Sequence, residues 1–290
     1  MNNLIAFSDE LSLAIADEGV KSLAALPLLN YLKKSHKKID FISGSGGGAV
    51  LGALSGMNLD ESQIISVFEQ LFSRENIMNI SYASLLKIVS TNYFGVSKNT
   101  LTICKNKKLL RKFRSIFKDL KLQDLKPKLI VQTTMLADGS AHLFEEGPLA
   151  EILYASNALY PLMPPIEIDE NYYVSGVYSS ALPILSAMKN TQKFVLGVNF
   201  SYPAFGEAES YFEYWMNLFH RSYVEKELKI IQSTLSIKQD RGKLFNIEFD
   251  KGISIWNVSN IPYILEQGQK ALKEKIYINV DKPEELRKVA

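Results

Sequence analysis

Short, largely apolar runs punctuate the chain at "LSLAI" (11 to 15), "IDFIS" (39 to 43) and "FVLGVNF" (194 to 200), and "KLIVQTTML" (128 to 136) is strand-like as well. Runs of that length with no polar face are the mark of strands covered on both sides. Shorter strand signals follow at "AHLF" (141 to 144), "PIEI" (165 to 168) and "YYV" (172 to 174), with two more near 244 to 249 and 252 to 256. Between them the period changes to that of helices. "VKSLAALPLLNYLKK" (20 to 34) has apolar residues at 23, 26, 28, 29 and 32, and Pro27 inside it is expected to bend it. A second helix of small residues begins at "AVLGALSG" (49 to 56), and further helices are expected over 61 to 72, 83 to 90, 106 to 120, 148 to 156, 208 to 235 and 260 to 275. The opening order of strand, helix, strand, helix predicts a parallel sheet covered by helices. No Pro/Gly/Ser-rich linker or repeat divides the chain, so residues 1–290 are expected to form one domain.

The junction of the second strand and second helix, "IDFISGSGGGAVLGALSG" (39 to 56), has the layout of a nucleophile elbow, the sharp strand-to-helix turn that lifts a catalytic serine out of a sheet. Three other segments stand in a matching order. They are "LSLAIADEGVKSLAALPLLNYLKK", "LAEILYASNALYPLMPPIEIDENYYVSGVYSSALPI" and "ISIWNVSNIPYILEQGQKAL". Together these resemble the glycine-rich oxyanion loop, the GTSAGA elbow, the "ASxAxPxxFPP" stretch with its "DGG" turn, and the last strand and helix of the patatin-like phospholipases. The resemblance covers nearly the whole chain. It implies a three-layer α/β fold with a mostly parallel central sheet and helices on both faces. It also implies a Ser/Asp dyad, in which the serine attacks an ester carbonyl, the aspartate is its base, and loop N–H groups hold the oxyanion.

Position by position, this chain departs from that pattern three times. Gly46 falls at the nucleophile, Ser175 at the base, and Asp17, Glu18 and Gly19 where the loop has three glycines. Glycine forms no acyl-enzyme, and a serine hydroxyl is no base at neutral pH. Carboxylates just before a helix start suit its N-terminus, and there they would occupy or repel the oxyanion's place. The expected catalytic set is therefore empty. Two other readings of "SGSGGG" remain open beside a plain tight turn. In one, a one-residue shift presents Ser45 as nucleophile, with Asp169, Asp138 or His142 as base. In the other, the bare N–H groups of Gly46, Gly47 and Gly48 bind an anion. Three functions follow: a non-catalytic scaffold, regulatory subunit or lipid-binding module; a lipid acyl hydrolase using Ser45; or a purely structural interaction protein.

Composition narrows the partners. Lys+Arg of 33 against Asp+Glu of 31 leaves a net charge of +2, which gives no support to nucleic-acid binding. One cysteine, Cys104, and the scattered His36, His142 and His220 match no metal-ligand spacing, and no cofactor motif is present. Asp9, Glu10 and Asp17 interrupt the N-terminal apolar stretch, and no run reaches the roughly 20 residues of a membrane helix. A cytoplasmic protein is expected, touching a membrane only peripherally. The helix at 106 to 120 offers the surface for that, with Lys107, Lys108, Arg111, Lys112, Arg114 and Lys118 around an apolar stripe. The aromatic stretch 209 to 228 places Tyr211, Trp215, Leu218 and Ser222 on one face, widened by Phe212, Phe219 and Tyr223. Such a helix is either buried in its own domain or shared with a protein partner or second copy.

Overall fold

The structure, a computed structural model, describes residues 9–77, 102–104, 107–203 and 211–277. The helix expected at 83 to 90 lies outside them. So do the side chains of Lys107, Tyr211, Phe212, Trp215, Phe219 and His220. The core is an eight-stranded mixed sheet in the order β5-β6-β3-β2-β1-β7-β8, with β4 paired to β3. Strands β1 (Glu10–Ile15), β2 (Lys38–Ser45), β3 (Lys128–Met135), β7 (Phe194–Ser201) and β8 (Gly242–Glu248) are parallel. β4 (Ala141–Phe144), β5 (Ile166–Ile168) and β6 (Asn171–Ser175) join antiparallel. Helices cover both faces, making the three-layer α/β fold expected from the sequence. In β1 every residue from Leu11 to Ile15 is buried, Ser12 included, because helices close over both sides of a central parallel strand. The peripheral β5 alternates buried and exposed instead.

Register places the site. β2 pairs with β3 up to Ser45 opposite Gln132, while β6 pairs with β3 from Thr133 to Met135. The Met135 N–H bonds Ser140 on the β4 side, and the next N–H, Leu136, bonds Tyr172 on the β6 side. Successive N–H groups of a strand point to opposite edges. β2 and β6 therefore lie end to end along one edge of β3, and Ser175 opposite Thr133 stands just beyond the end of β2.

Several sequence expectations are corrected. Pro27 does not bend a helix. Residues Gly19–Ala25 form a 3₁₀ stretch, and Pro27 stands in the first turn of α1 (Leu26–Lys34), where its missing N–H has no intrahelical partner to lose. α2 runs Gly46–Gly56, starting three residues earlier than its composition suggests. No strand forms at 252 to 256. Ile253 and Trp256 are apolar because they are buried, and the Ile255 carbonyl accepts from the Val20 N–H beside the loop. The helix α6 (Ile184–Asn190), opened by Pro183, has no counterpart in the sequence reading.

Besides a single helical turn at Arg74–Ile77, the other α-helices described are α3 (Glu61–Phe72), α4 (Lys107–Phe117), α5 (Leu149–Asn157), α7 (Tyr211–Ile237) and α8 (Ile261–Leu272). On α7 the described apolar positions divide. Ile231 and Leu235 are buried, whereas Tyr214, Leu218, Ile230 and Ile237 are exposed. No helix among the described residues is long and apolar enough to cross a membrane.

Candidate functional site

The elbow is built by close approach of backbones. A Cβ on Gly44 would press on Ala49 N and Cα, one on Gly47 on the Gly19 carbonyl and Ser22 Oγ, and one on Gly48 on the carbonyls of Ile15 and Ala16. The run "GSGGG" is therefore a steric requirement of packing the first turn of α2 against β1 and the loop after it. Gly46 has φ +48°, the left-handed region that L side chains resist.

Asp17 occupies the space beside Gly46. A Cβ built on Gly46 would overlap Cγ, Oδ1 and Oδ2 of the Asp17 carboxyl group. Asp17 Oδ1 accepts from the Gly19 N–H at 3.2 Å and the Gly47 N–H at 3.1 Å. Its Oδ2 accepts from the Ser175 hydroxyl at 3.4 Å. The same Ser175 Oγ accepts from the Val177 N–H at 3.3 Å. One carboxylate thus gathers the loop, the elbow and Ser175. The Asp17 N–H is itself held by the Ala181 carbonyl at 2.9 Å.

The other donors of the elbow and loop are also engaged. Gly46 N–H donates to Ser156 Oγ at 2.8 Å, and that hydroxyl donates to the Gln132 carbonyl at 2.7 Å. Glu18 N–H donates to Ser22 Oγ at 3.0 Å, which donates to the Ala16 carbonyl at 3.0 Å. Of the three glycines read as an anion site, Gly46 and Gly47 give their N–H groups to the chain's own side chains.

Glu18 and Asp17 part company. Glu18 leads into the 3₁₀ stretch without a side-chain cap, and its carboxylate instead pairs with Lys21 at 2.6 Å, both residues almost wholly buried. The Lys21 ammonium also lies 3.8 Å from the centroid of the Tyr202 ring. A carboxylate buried beside an ammonium is stabilised by that partner rather than by N–H groups further along the chain. The capping expected of Glu18 is absent for that reason.

Ser45, the alternative nucleophile, is fully buried, and its Oγ has no hydrogen-bond partner among the described residues. It faces Gly176, where an added Cβ would overlap it. The bases considered for it lie elsewhere. Asp138 is in an exposed turn, its carboxyl held below its ordinary value by hydrogen bonds from Ser140. Asp169 is exposed at the β5–β6 turn. His142 packs against Phe144 and Tyr173 at ring distances of 4.4 and 5.0 Å, and burial lowers its imidazole pKa. We expect Ser45→Ala to leave stability unchanged or raise it by about 1 kcal/mol, since a buried hydroxyl without a partner costs desolvation. Urea unfolding measures this, and a loss above 1 kcal/mol would reveal a bond to Ser45.

α7 clasps the turn that follows Ser175. Glu227 accepts from Ser180 Oγ at 2.5 Å and the Ala181 N–H at 2.8 Å, while the Tyr223 hydroxyl donates to the Tyr178 carbonyl. Burial, with the Asp17 charge second, pushes the Tyr178 phenol up, so it stays a neutral donor to the Tyr160 carbonyl. Ser156, Lys21 and Tyr178 were not singled out in the sequence. Lys21 alone left a signal, a lysine three residues after Glu18 in an otherwise apolar stretch. Among the described residues no group of three His, Cys, Asp or Glu could hold a metal. A groove of about 1300 Å³ is lined by residues such as Arg114, His142 and Glu151 and by no residue of the elbow.

The mixed, mostly parallel sheet thus sets a strand-to-helix elbow opposite a loop that supplies N–H groups. The family model of the patatin-like phospholipases matches residues 19–188, more than half the chain, and the protein belongs to that family. The match takes in the elbow and Ser175 and begins just after Asp17 and Glu18. Lysophospholipase NTE1 of Kluyveromyces lactis is 23% identical over 187 residues, covering 64% of this chain and 12% of that protein. Patatin-like phospholipase domain-containing protein 7 of Rattus norvegicus is 23% identical over 197 residues, covering 67% and 14% respectively. This chain thus aligns with only a small part of either relative. Among solved structures, VipD from Legionella pneumophila gives a TM-score of 0.47 at 12% identity, covering 92% of this chain and 67% of that one.

Proposed function

We propose that this chain is a non-catalytic member of its family, a binding or regulatory module whose acyl-transfer site is closed by Asp17. A single observation carries the reading. The Asp17 carboxylate fills the volume that a side chain at position 46 would take and accepts from both Gly19 and Gly47 N–H groups. In an acyl-transfer site, N–H donors so placed stabilise the developing oxyanion, and losing one costs about 10² to 10³ in rate. Here a fixed negative charge stands in for that oxyanion, so an incoming carbonyl oxygen meets repulsion where it needs donors. Ser175 offers no basic group for proton abstraction. The lipid side of the reading rests on the family, whose relatives are named as lysophospholipase and phospholipase.

The test is intact-mass analysis after exposure to a fluorophosphonate, together with turnover of a short-chain ester. The expected outcome is no adduct and no turnover above buffer. A stoichiometric adduct with turnover would sink the proposal. Peptide mapping to Ser45 would then show that the elbow register shifts. Mapping to Ser175 would show that the hydroxyl hydrogen-bonded to Asp17 has become the nucleophile.

A further inference from the structure

α4, "KKLLRKFRSIF", contains no acidic residue, and the structure divides its two faces cleanly. Leu109, Phe113 and Phe117 are buried, with Phe113 edge-on to Tyr154 of α5 at 6.1 Å. The apolar stripe is therefore consumed by the core and unavailable for insertion into lipid. On the opposite side Lys108 and Arg111 are exposed, and Lys118 continues them just past the helix end. None of these three forms an ion pair among the described residues, whereas Arg114 is neutralised by Glu151 at 2.8 Å.

The geometry points to this face as an electrostatic docking surface for an anionic lipid bilayer. The cations are strung along about 16 Å of helix, longer than the Debye length of about 10 Å at 0.1 M salt, so an extended anionic plane engages them together. A small free anion suits the site less well, because the groove that Lys118 also lines mixes Arg114, Lys121 and Lys128 with Asp119, Glu145, Glu146 and Glu151 and so concentrates no positive charge. Nucleic acid is disfavoured because the exposed positions of the helix offer no aromatic side chain for stacking and no amide for reading bases. With the apolar stripe buried, attachment rests on charge alone and is reversible by salt.

The experiment is flotation of the full chain with phosphatidylcholine vesicles, with and without phosphatidylserine. Binding is expected only with phosphatidylserine and is lost at high salt. Each basic residue contributes about a fivefold factor, so Lys108→Gln, Arg111→Gln and Lys118→Gln together should weaken partitioning on the order of a hundredfold. Lys226→Gln and Lys229→Gln on α7, with Lys238→Gln just past its end, remove the same charge and should leave it within a few-fold. Because all six positions are exposed, circular dichroism is expected to show unchanged folding. Equal loss from both sets, binding to phosphatidylcholine alone, or tighter binding to an oligonucleotide than to phosphatidylserine vesicles would each overturn the proposal. Esterase inactivity has no bearing on it, so it stands or falls separately from the closed elbow.

Discussion

Gly46→Ser, which puts a serine where the family resemblance expects the nucleophile, is expected to destabilise the protein by about 3 kcal/mol or more and to confer no esterase activity. Two terms add. A non-glycine residue at φ +48° costs about 1–2 kcal/mol, and forcing a side chain into filled space typically costs about 1–3 kcal/mol. The filled space here is the Asp17 carboxyl group, so relief requires that carboxylate to leave the Gly19 and Gly47 N–H groups. Asp17→Gly also destabilises, because it strips those N–H groups of their acceptor. The double variant is then less destabilised than the sum of the singles, with a coupling of about 1–3 kcal/mol in urea unfolding. Strict additivity would mean that Asp17 does not occupy the nucleophile's place. Neither variant should turn over ester, since Ser175 remains without basicity.

The second large effect lies one residue along, at the Glu18–Lys21 pair. Lys21→Met leaves a carboxylate in the interior without its ammonium, and removing one member of such a pair costs about 3–5 kcal/mol. Removing both charges together is different. Replacing a buried ion pair by neutral groups of similar volume is often neutral or stabilising by about 1–4 kcal/mol. Glu18→Gln with Lys21→Met should therefore recover most of the loss, as read from denaturation midpoints with unchanged slopes. If the double variant is as unstable as Lys21→Met alone, the loss comes from the contact of the Lys21 ammonium with the Tyr202 ring instead of from the unpaired carboxylate.

Much of the framework was legible because central strands carry their signature locally. Leu11–Ile15 and Phe194–Phe200 are apolar on both faces for the physical reason that makes them buried. The elbow was legible too, through its small residues. The start of α2 was not, since glycine is a poor helix former and reads as loop. The carbonyls of Ile15, Ala16 and Gly19 crowd it into a helical turn that propensity does not reveal. Ile253 and Trp256 imitated a strand because burial beside the loop selects apolar residues whatever the backbone does. At the site, sequence position brought Asp17 to the oxyanion loop. Its bonds to Gly47 and Ser175 join residues 30 and 158 positions apart, and such partners leave no local pattern.

The shared edge of β3 has a consequence for how this site can vary among relatives. Ser45 and Ser175 come together only because β2 ends opposite Gln132 and β6 ends opposite Thr133 on the same edge. A residue inserted between β4 and β6 is taken up by the connecting segment and leaves that seam intact. One inserted within β6 turns every later side chain of the strand to the other face of the sheet. Chemistry at positions 17, 46 and 175 can therefore change by substitution, 17 and 46 together, but the seam that brings them together tolerates no change of length within its strands.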